Sequence, residues 1–325
     1  MIEPFHKLRT HMKSFQLAAA ALLATTGMAI AQEKVQISYS GVVTVDHLSL
    51  PDFDGNYFYG NGDVNFRWST VNSVKFGVDL GVETFGSLGD EFSDDLSAYY
   101  AAGVVEGLFG KLSIGMPRSV VSEYFKGPKI AGSELLDLDF GFFGFDLVRV
   151  VKLDNSDAGG ELYGARYDGK FGHFNVAASV SHLSDFYVSD TSSNIEEIVA
   201  QYATGLWSVT LGTVLFEQEG ISANTTSLEV QGSAGKFSGG IVYTKSDIFE
   251  ADSIRGFVSY DVNEMIKLNT QVLHMTDGNS DLEFYSFDFS YKHKTGAFIN
   301  AGVITGGTFY GPDDNIINLS LGYKF

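Results

Sequence analysis

The chain has 325 residues, 40 acids against 21 bases, a net charge of −19 and no cysteine. Such acidity argues against nucleic acid or anionic lipid as a partner and for cations nearby. Without cysteine there is no disulfide framework and no thiolate metal site.

The N-terminus carries Lys7, Arg9 and Lys13, then an apolar run from Phe15 to Ala24, then Ala29-Ile30-Ala31 before Gln32. A basic start, a short greasy centre and a small-residue end predict an export signal peptide over residues 1–31, too short to span a bilayer. The mature chain is then expected to run over residues 32–325, with 18 bases facing 39 acids and a net charge of −21. After the leader, no apolar run approaches the ~20 residues of a membrane helix.

From Val35 the period is two. Val35, Ile37, Tyr39, Val43 and Val45 share one face, and Gln36, Ser38, Ser40 and Thr44 the other, which predicts a strand with one greasy and one wet side. The second strand ends in Asp63-Val64-Asn65-Phe66-Arg67-Trp68-Ser69 and the third runs from Val74 to Glu83, joined by the tight turn 70–73. Further strands are predicted near Ser97–Glu106, Lys111–Met116, Glu161–Asp168, Phe171–Ser181, Glu197–Ala203, Trp207–Glu217, Ser227–Ala234 and Phe237–Thr244. The series continues with Ser253–Val262, Met265–Met275, Glu283–Lys292, Ala297–Thr305 and Asn315–Phe325, about sixteen in all, close to the ~10-residue signature of transmembrane barrel strands. None of the five prolines interrupts a strand, where each would cost a ladder hydrogen bond.

Short connections (70–73, 107–110, 169–170, 204–206, 235–236, 263–264, 293–296) alternate with longer ones (46–60, 86–96, 117–160, 182–196, 218–226, 245–252, 276–282, 306–314). That asymmetry predicts a barrel whose two ends face different compartments. Trp68, Tyr167, Phe171, Trp207, Phe237, Tyr260, Tyr291 and Tyr323 fall near short turns or the C-terminus, as an interfacial aromatic girdle requires.

The third long connection, Pro117 to Gly160, is too long to be a plain linker and too aromatic to float free, with Tyr124, Phe125, Phe140, Phe142, Phe143 and Phe145 among its residues. It is expected to pack on a surface rather than to float. The fold class is therefore all-β: a transmembrane antiparallel barrel of about sixteen strands, which hydrocarbon demands be closed and which at that size holds water.

Three segments add a family likeness: 107–115 (GLFGKLSIG), Asp154-Asn155-Ser156 after Arg149, and the C-terminal strand 318–325 (NLSLGYKF). With the topology, they resemble the general diffusion porins of Gram-negative bacteria, particularly the sixteen-stranded trimeric alphaproteobacterial type. The resemblance implies an outer-membrane, non-enzymatic channel for passive diffusion of small hydrophilic solutes and ions. It implies a long third loop, 117–160, folded into the lumen where it narrows the channel, homotrimers, contact with outer-membrane lipid and lipopolysaccharide, and a terminal signal at Tyr323 and Phe325 read by barrel-insertion machinery. It places Glu123, Glu134, Asp137, Asp139 and Asp146 on the acidic side of the constriction, and Arg67, Lys75, Arg118, Arg149 and Arg166 on the basic side. The wall lacks the dense arginine ladder of many family members. The excess of acids predicts a cation preference.

Asp90, Glu91, Asp94 and Asp95, with Asp52 and Asp54 in the preceding loop, form either a solvated acidic rim or a loop-bound calcium site, without EF-hand spacing. No cofactor is otherwise expected. The mature histidines, His47, His173, His182, His274 and His293, show no metal-binding spacing. Three other readings stay open: a substrate-selective channel with a lumenal binding site, a barrel plugged by its loops, and a rim hydrolase using His47 or His182.

Overall fold

The computed structural model of the chain describes residues 35–50, 53–69, 73–88, 96–125, 127–134, 136, 162–184, 192–218, 220–247, 250–276, 281–307 and 315–325. Sixteen antiparallel strands form one closed barrel. In chain order they are β1 (Gln36–Leu50), β2 (Phe53–Ser69), β3 (Lys75–Ser87), β4 (Leu96–Gly107), β5 (Gly110–Met116), β6 (Leu162–Phe171), β7 (Phe174–Leu183) and β8 (Ser193–Ala203). The rest are β9 (Trp207–Gln218), β10 (Ile221–Ala234), β11 (Phe237–Ser246), β12 (Ala251–Asp261), β13 (Ile266–Thr276), β14 (Asp281–Lys292), β15 (Ala297–Gly306) and β16 (Ile316–Lys324).

Each strand pairs with its sequence neighbours, and β16 closes on β1 with Val45 opposite Leu321 and Thr44 opposite Gly322. Closure leaves no strand edge, so the ladders satisfy the backbone internally, as a lipid environment requires. No helix among the described residues is long and apolar enough to cross a membrane; the strands do the crossing.

Period-two alternation sets which side chains face out. Ile37, Tyr39, Val180, Ile198, Leu211, Val258, Ile317 and Leu321 stand exposed on the outer surface. Water would not tolerate so continuous an apolar belt, and lipid does. At the end carrying the short turns, rings gather as an aromatic rim. Tyr202 lies against Phe174 (4.8 Å between centroids) and Trp207 (5.3 Å), and Phe237 against Tyr260 (4.7 Å). Trp68, expected on that rim, is almost completely buried instead.

The strands run further toward the long-loop end than their pattern predicts. β2 begins at Phe53, within the expected loop 46–60, and β9 and β10 continue to Gln218 and Ile221, within the expected loop 218–226. Outward positions there turn polar, as at Asn56, Glu217 and Ser222, so the greasy-wet alternation stops while backbone pairing goes on. A hydrogen-bonded ladder does not need hydrocarbon beside it.

Candidate channel constriction

The connection after β5 turns inward and clings to the barrel wall. It forms a one-turn helix α1 (Val120–Tyr124) and a 3-10 turn at Ile130–Gly132. Val120, Val121 and Phe125 pack on inward-facing Ala177, Leu183, Ile195, Val199, Val214, Val242 and Phe257. Ile130, Ala131 and Leu136 pack on Leu48, Leu273, Phe284, Ile304 and Ile316. The lumen face of β7–β9 and β11–β16 is therefore partly apolar, where the simple alternation expects it wet. The hydrophobic effect pins the loop at two places.

Polar contacts fix its register between those anchors. Glu197 on β8, fully buried, accepts from Ser119 Oγ (2.6 Å), the Val121 amide (3.1 Å) and Ser179 Oγ (2.5 Å). Ser119 in turn caps α1 through the Ser122 amide, 3.2 Å away. Across the barrel, Arg255 donates to the Pro128 carbonyl and Gln271 to that of Lys129 (2.9 Å). Asn318 donates to the Ala131 carbonyl and Asn300 to that of Gly132, each at 3.0 Å. The backbone turns left-handed there, at Ala131 (φ 48°) and Gly132 (φ 70°), which aims both carbonyls at the wall. Gly302 makes room for them, since a Cβ at 302 would lie 2.4 Å from the Ala131 carbonyl oxygen.

Beside the loop, open space remains, chiefly against β2–β6 and reaching Asn175, Gln201 and Gln231 on β7, β8 and β10. One cavity of about 450 Å³ is lined by Asp63, Arg67, Asp79, Glu106, Lys111, Arg118, Glu123 and Arg166 among others. A second, of about 680 Å³, reaches the short β4–β5 turn and shares Glu106, Lys111, Glu123 and Arg166 with the first. The charged residues named for the first cavity number four acids and four bases, so this passage is balanced in charge despite the acidity of the whole chain.

These charges are paired along the wall. Arg67 Nη1 lies 2.5 Å from Asp79, although its hydrogen bond goes to the Phe66 carbonyl (3.0 Å), and Arg67 Nε is 3.5 Å from Glu106. Lys75 is 3.7 Å from Glu106; Lys111 is 3.7 Å from Asp79 and 3.8 Å from Asp168. Arg166 holds Asp168 at 2.6 Å, contacts Glu123, and donates to the carbonyls of Arg118 (3.3 Å) and Ser119 (3.4 Å). Glu123 and Arg166, expected on opposite sides of the opening, are thus in direct contact, because α1 lies on the same side of the barrel as β6.

Arg118 leans back across β2–β4. It bonds Asp63 (2.8 Å) and Asn61 (2.8 Å), approaches Glu83 (3.4 Å) and sits 4.2 Å from the Tyr100 ring centroid. Burial alone would lower its pKa, but Tyr100, Asp63 and Glu83 outweigh burial and raise it above the ordinary arginine value. The Tyr124 phenol is raised by burial first and by nearby Asp168 second.

Among the remaining expected residues, Glu134 pairs with Lys129 at 3.2 Å. Tyr323 stacks on Phe325 (6.4 Å), whose backbone exchanges two 3.0 Å hydrogen bonds with Gly41. Asp54 is on β2. Asp137, Asp139, Asp146 and Arg149, the acids Asp52, Asp90, Glu91, Asp94 and Asp95, the Asp154-Asn155-Ser156 segment and the leader 1–31 lie outside the described residues. His47 and His182 keep asparagine partners, Asn56 (3.0 Å) and Asn194 (2.7 Å). Asp63, Glu83, Glu106, Lys111, Asp168 and Glu197 were not expected at the constriction. Their inward parity was readable, but which inward residues the loop meets was not.

A closed sixteen-stranded barrel with a lipid-facing belt, a loop strapped inside and a charged open passage defines the class: a water-filled transmembrane channel. The Gram-negative porin family model matches residues 18–306, and the chain belongs to that family, whose members are outer-membrane diffusion channels rather than enzymes. No curated protein matches it. Solved structures share the fold. A variant of the Rhodopseudomonas blastica porin superposes with a TM-score of 0.64 at 14% identity, covering 89% of this chain and all of that one. A triple mutant of that porin gives 0.64 at 13% with the same coverage. A structure titled for asymmetric conductivity of engineered proteins gives 0.59 at 13%, again over 89% of this chain and 100% of that one.

Proposed function

We propose that this outer-membrane channel passes small hydrophilic solutes and ions by passive diffusion, the loop strapped inside the barrel setting the size limit. The observation that carries this reading is the pair of adjoining cavities lying chiefly along β2–β6, lined by charged and polar side chains that a solute would meet with its hydration partly kept. A mild cation preference is part of the proposal. It rests on the net negative charge and on the acids at 137, 139 and 146, since the described lining is balanced. Glu123 and Arg166 are assigned to one wall of the constriction, with Arg67, Lys75 and Arg118 beside them.

The remaining assignments follow the family. Residues 1–31 act as a cleaved export signal, Tyr323 and Phe325 end the strand that insertion machinery recognises, and the protein works as a homotrimer in a lipid and lipopolysaccharide setting. The test is solute swelling of loaded liposomes together with reversal potentials in a salt gradient. Swelling rates falling smoothly with sugar size support a diffusion pore; a rate that saturates with one solute favours a selective channel, and no swelling overturns both. Anion preference would end the cation assignment.

A further inference from the structure

Glu106 and Lys111 are register partners across β4 and β5, which puts their Cβ atoms about 4.5–5.5 Å apart on the lumen face. They do not pair with each other. Glu106 reaches Arg67 at 3.5 Å and Lys75 at 3.7 Å; Lys111 reaches Asp79 at 3.7 Å and Asp168 at 3.8 Å. All four contacts are longer than a good charged hydrogen bond. Both partners of Lys111 are already held more closely elsewhere, Asp79 by Arg67 at 2.5 Å and Asp168 by Arg166 at 2.6 Å. The two side chains also remain solvated, Glu106 at 38% exposure and Lys111 at 30%. Both line each of the adjoining cavities, so a solute passing between those spaces passes them.

We infer that Glu106 and Lys111 form a weak subsite for small zwitterions, solutes of the free amino-acid kind, within the diffusion pathway proposed above. The carboxylate of such a solute meets the Lys111 ammonium while its own ammonium meets the Glu106 carboxylate, one solute dipole lying antiparallel to one wall dipole. An uncharged solute gains nothing there, and a singly charged one is attracted by one group and repelled by its neighbour. The loose contacts matter, because tightly paired side chains would have to be pulled apart first.

The test compares swelling of proteoliposomes in glycine with swelling in glycerol, an uncharged solute of similar size. Lys111→Met and Glu106→Gln are each expected to lower the glycine-to-glycerol rate ratio roughly two- to fivefold, the scale of a solvated charge pair, each variant's own glycerol rate serving as the reference for any change in pore width. Lys111→Arg should restore the ratio. An unchanged ratio in Lys111→Met at normal glycerol flux would overturn the subsite. If the single variants fail to assemble and pass no glycerol, a Lys111→Arg channel with no glycine advantage over glycerol overturns it equally. If wild-type vesicles admit neither solute, the diffusion reading itself falls.

Discussion

Ser119 donates its hydroxyl to Glu197 Oε1 across 2.6 Å, joining the first turn of the inward loop to β8, three strands around the barrel from β5. That carboxylate is buried and takes three donors from two elements, so it positions α1 as well as neutralising its free amides. The loop is held by the wall rather than by itself.

Glu197→Ala should leave Ser119, Ser179 and the Val121 amide short of an acceptor at a buried site. We expect a loss of about 1–3 kcal/mol, read as a lower thermal unfolding midpoint in detergent. Single-channel records should also become noisier, because α1 gains freedom at the edge of the passage. Glu197→Gln should lie between, since the amide oxygen still accepts.

Gly302 tests the other anchor. Gly302→Ala introduces a Cβ within 2.4 Å of the Ala131 carbonyl oxygen, which no side-chain rotation relieves, and should push the 3-10 turn into the lumen at about 1–3 kcal/mol. Single-channel conductance should fall. Gly212→Ala is the milder counterpart, because the clash, at 2.6 Å, is with the Phe125 ring, which is able to shift.

Arg118 should keep its charge throughout the workable pH range. Its folded pKa is raised above the ordinary arginine value, so its contribution to stability is fully present below that unfolded value and is lost only as pH rises through the still higher folded one. Conductance should therefore show no Arg118-dependent step between neutral pH and pH ~11. Arg118→Met should leave Asp63 and Glu83 without this cation and move the reversal potential toward cations at every pH in that window.

The outer and inner faces should differ sharply in tolerance. Ile198 faces lipid; Ile198→Arg is expected to cost about 2–4 kcal/mol if it lies near the bilayer midplane, measured by urea unfolding from lipid vesicles. Ser208 sits on the lumen face beside Ala203, and Ser208→Arg should be nearly neutral because water receives the charge. Equal costs would contradict the assignment of faces.

The strand order and the inward or outward parity of nearly every position were legible before any coordinates, because period two is a local property of β backbone and a greasy face must meet lipid. Apolar pairs such as Val214-Leu215, Val303-Ile304 and Ile316-Ile317 fall where the inner face is apolar as well, with Val214, Ile304 and Ile316 buried. Period alone did not say what the inner member of each pair covers.

Pairing across the passage belongs to tertiary structure. The Lys111–Asp168 contact depends on the register of β5 against β6, strands separated by the whole inward loop, and no local pattern transmits register across such a gap. The loop's course does the same for Glu123. Composition made it an acid on an apolar segment, but only the fit of Val120, Val121 and Phe125 onto Ile195, Val199 and Val214 carries it to Arg166. The amino-acid order determined a sealed cylinder with a wet interior, since strand alternation and hydrocarbon leave few other solutions. Which charges meet inside it was decided by packing, because burial of the loop is cooperative among side chains distant in the chain.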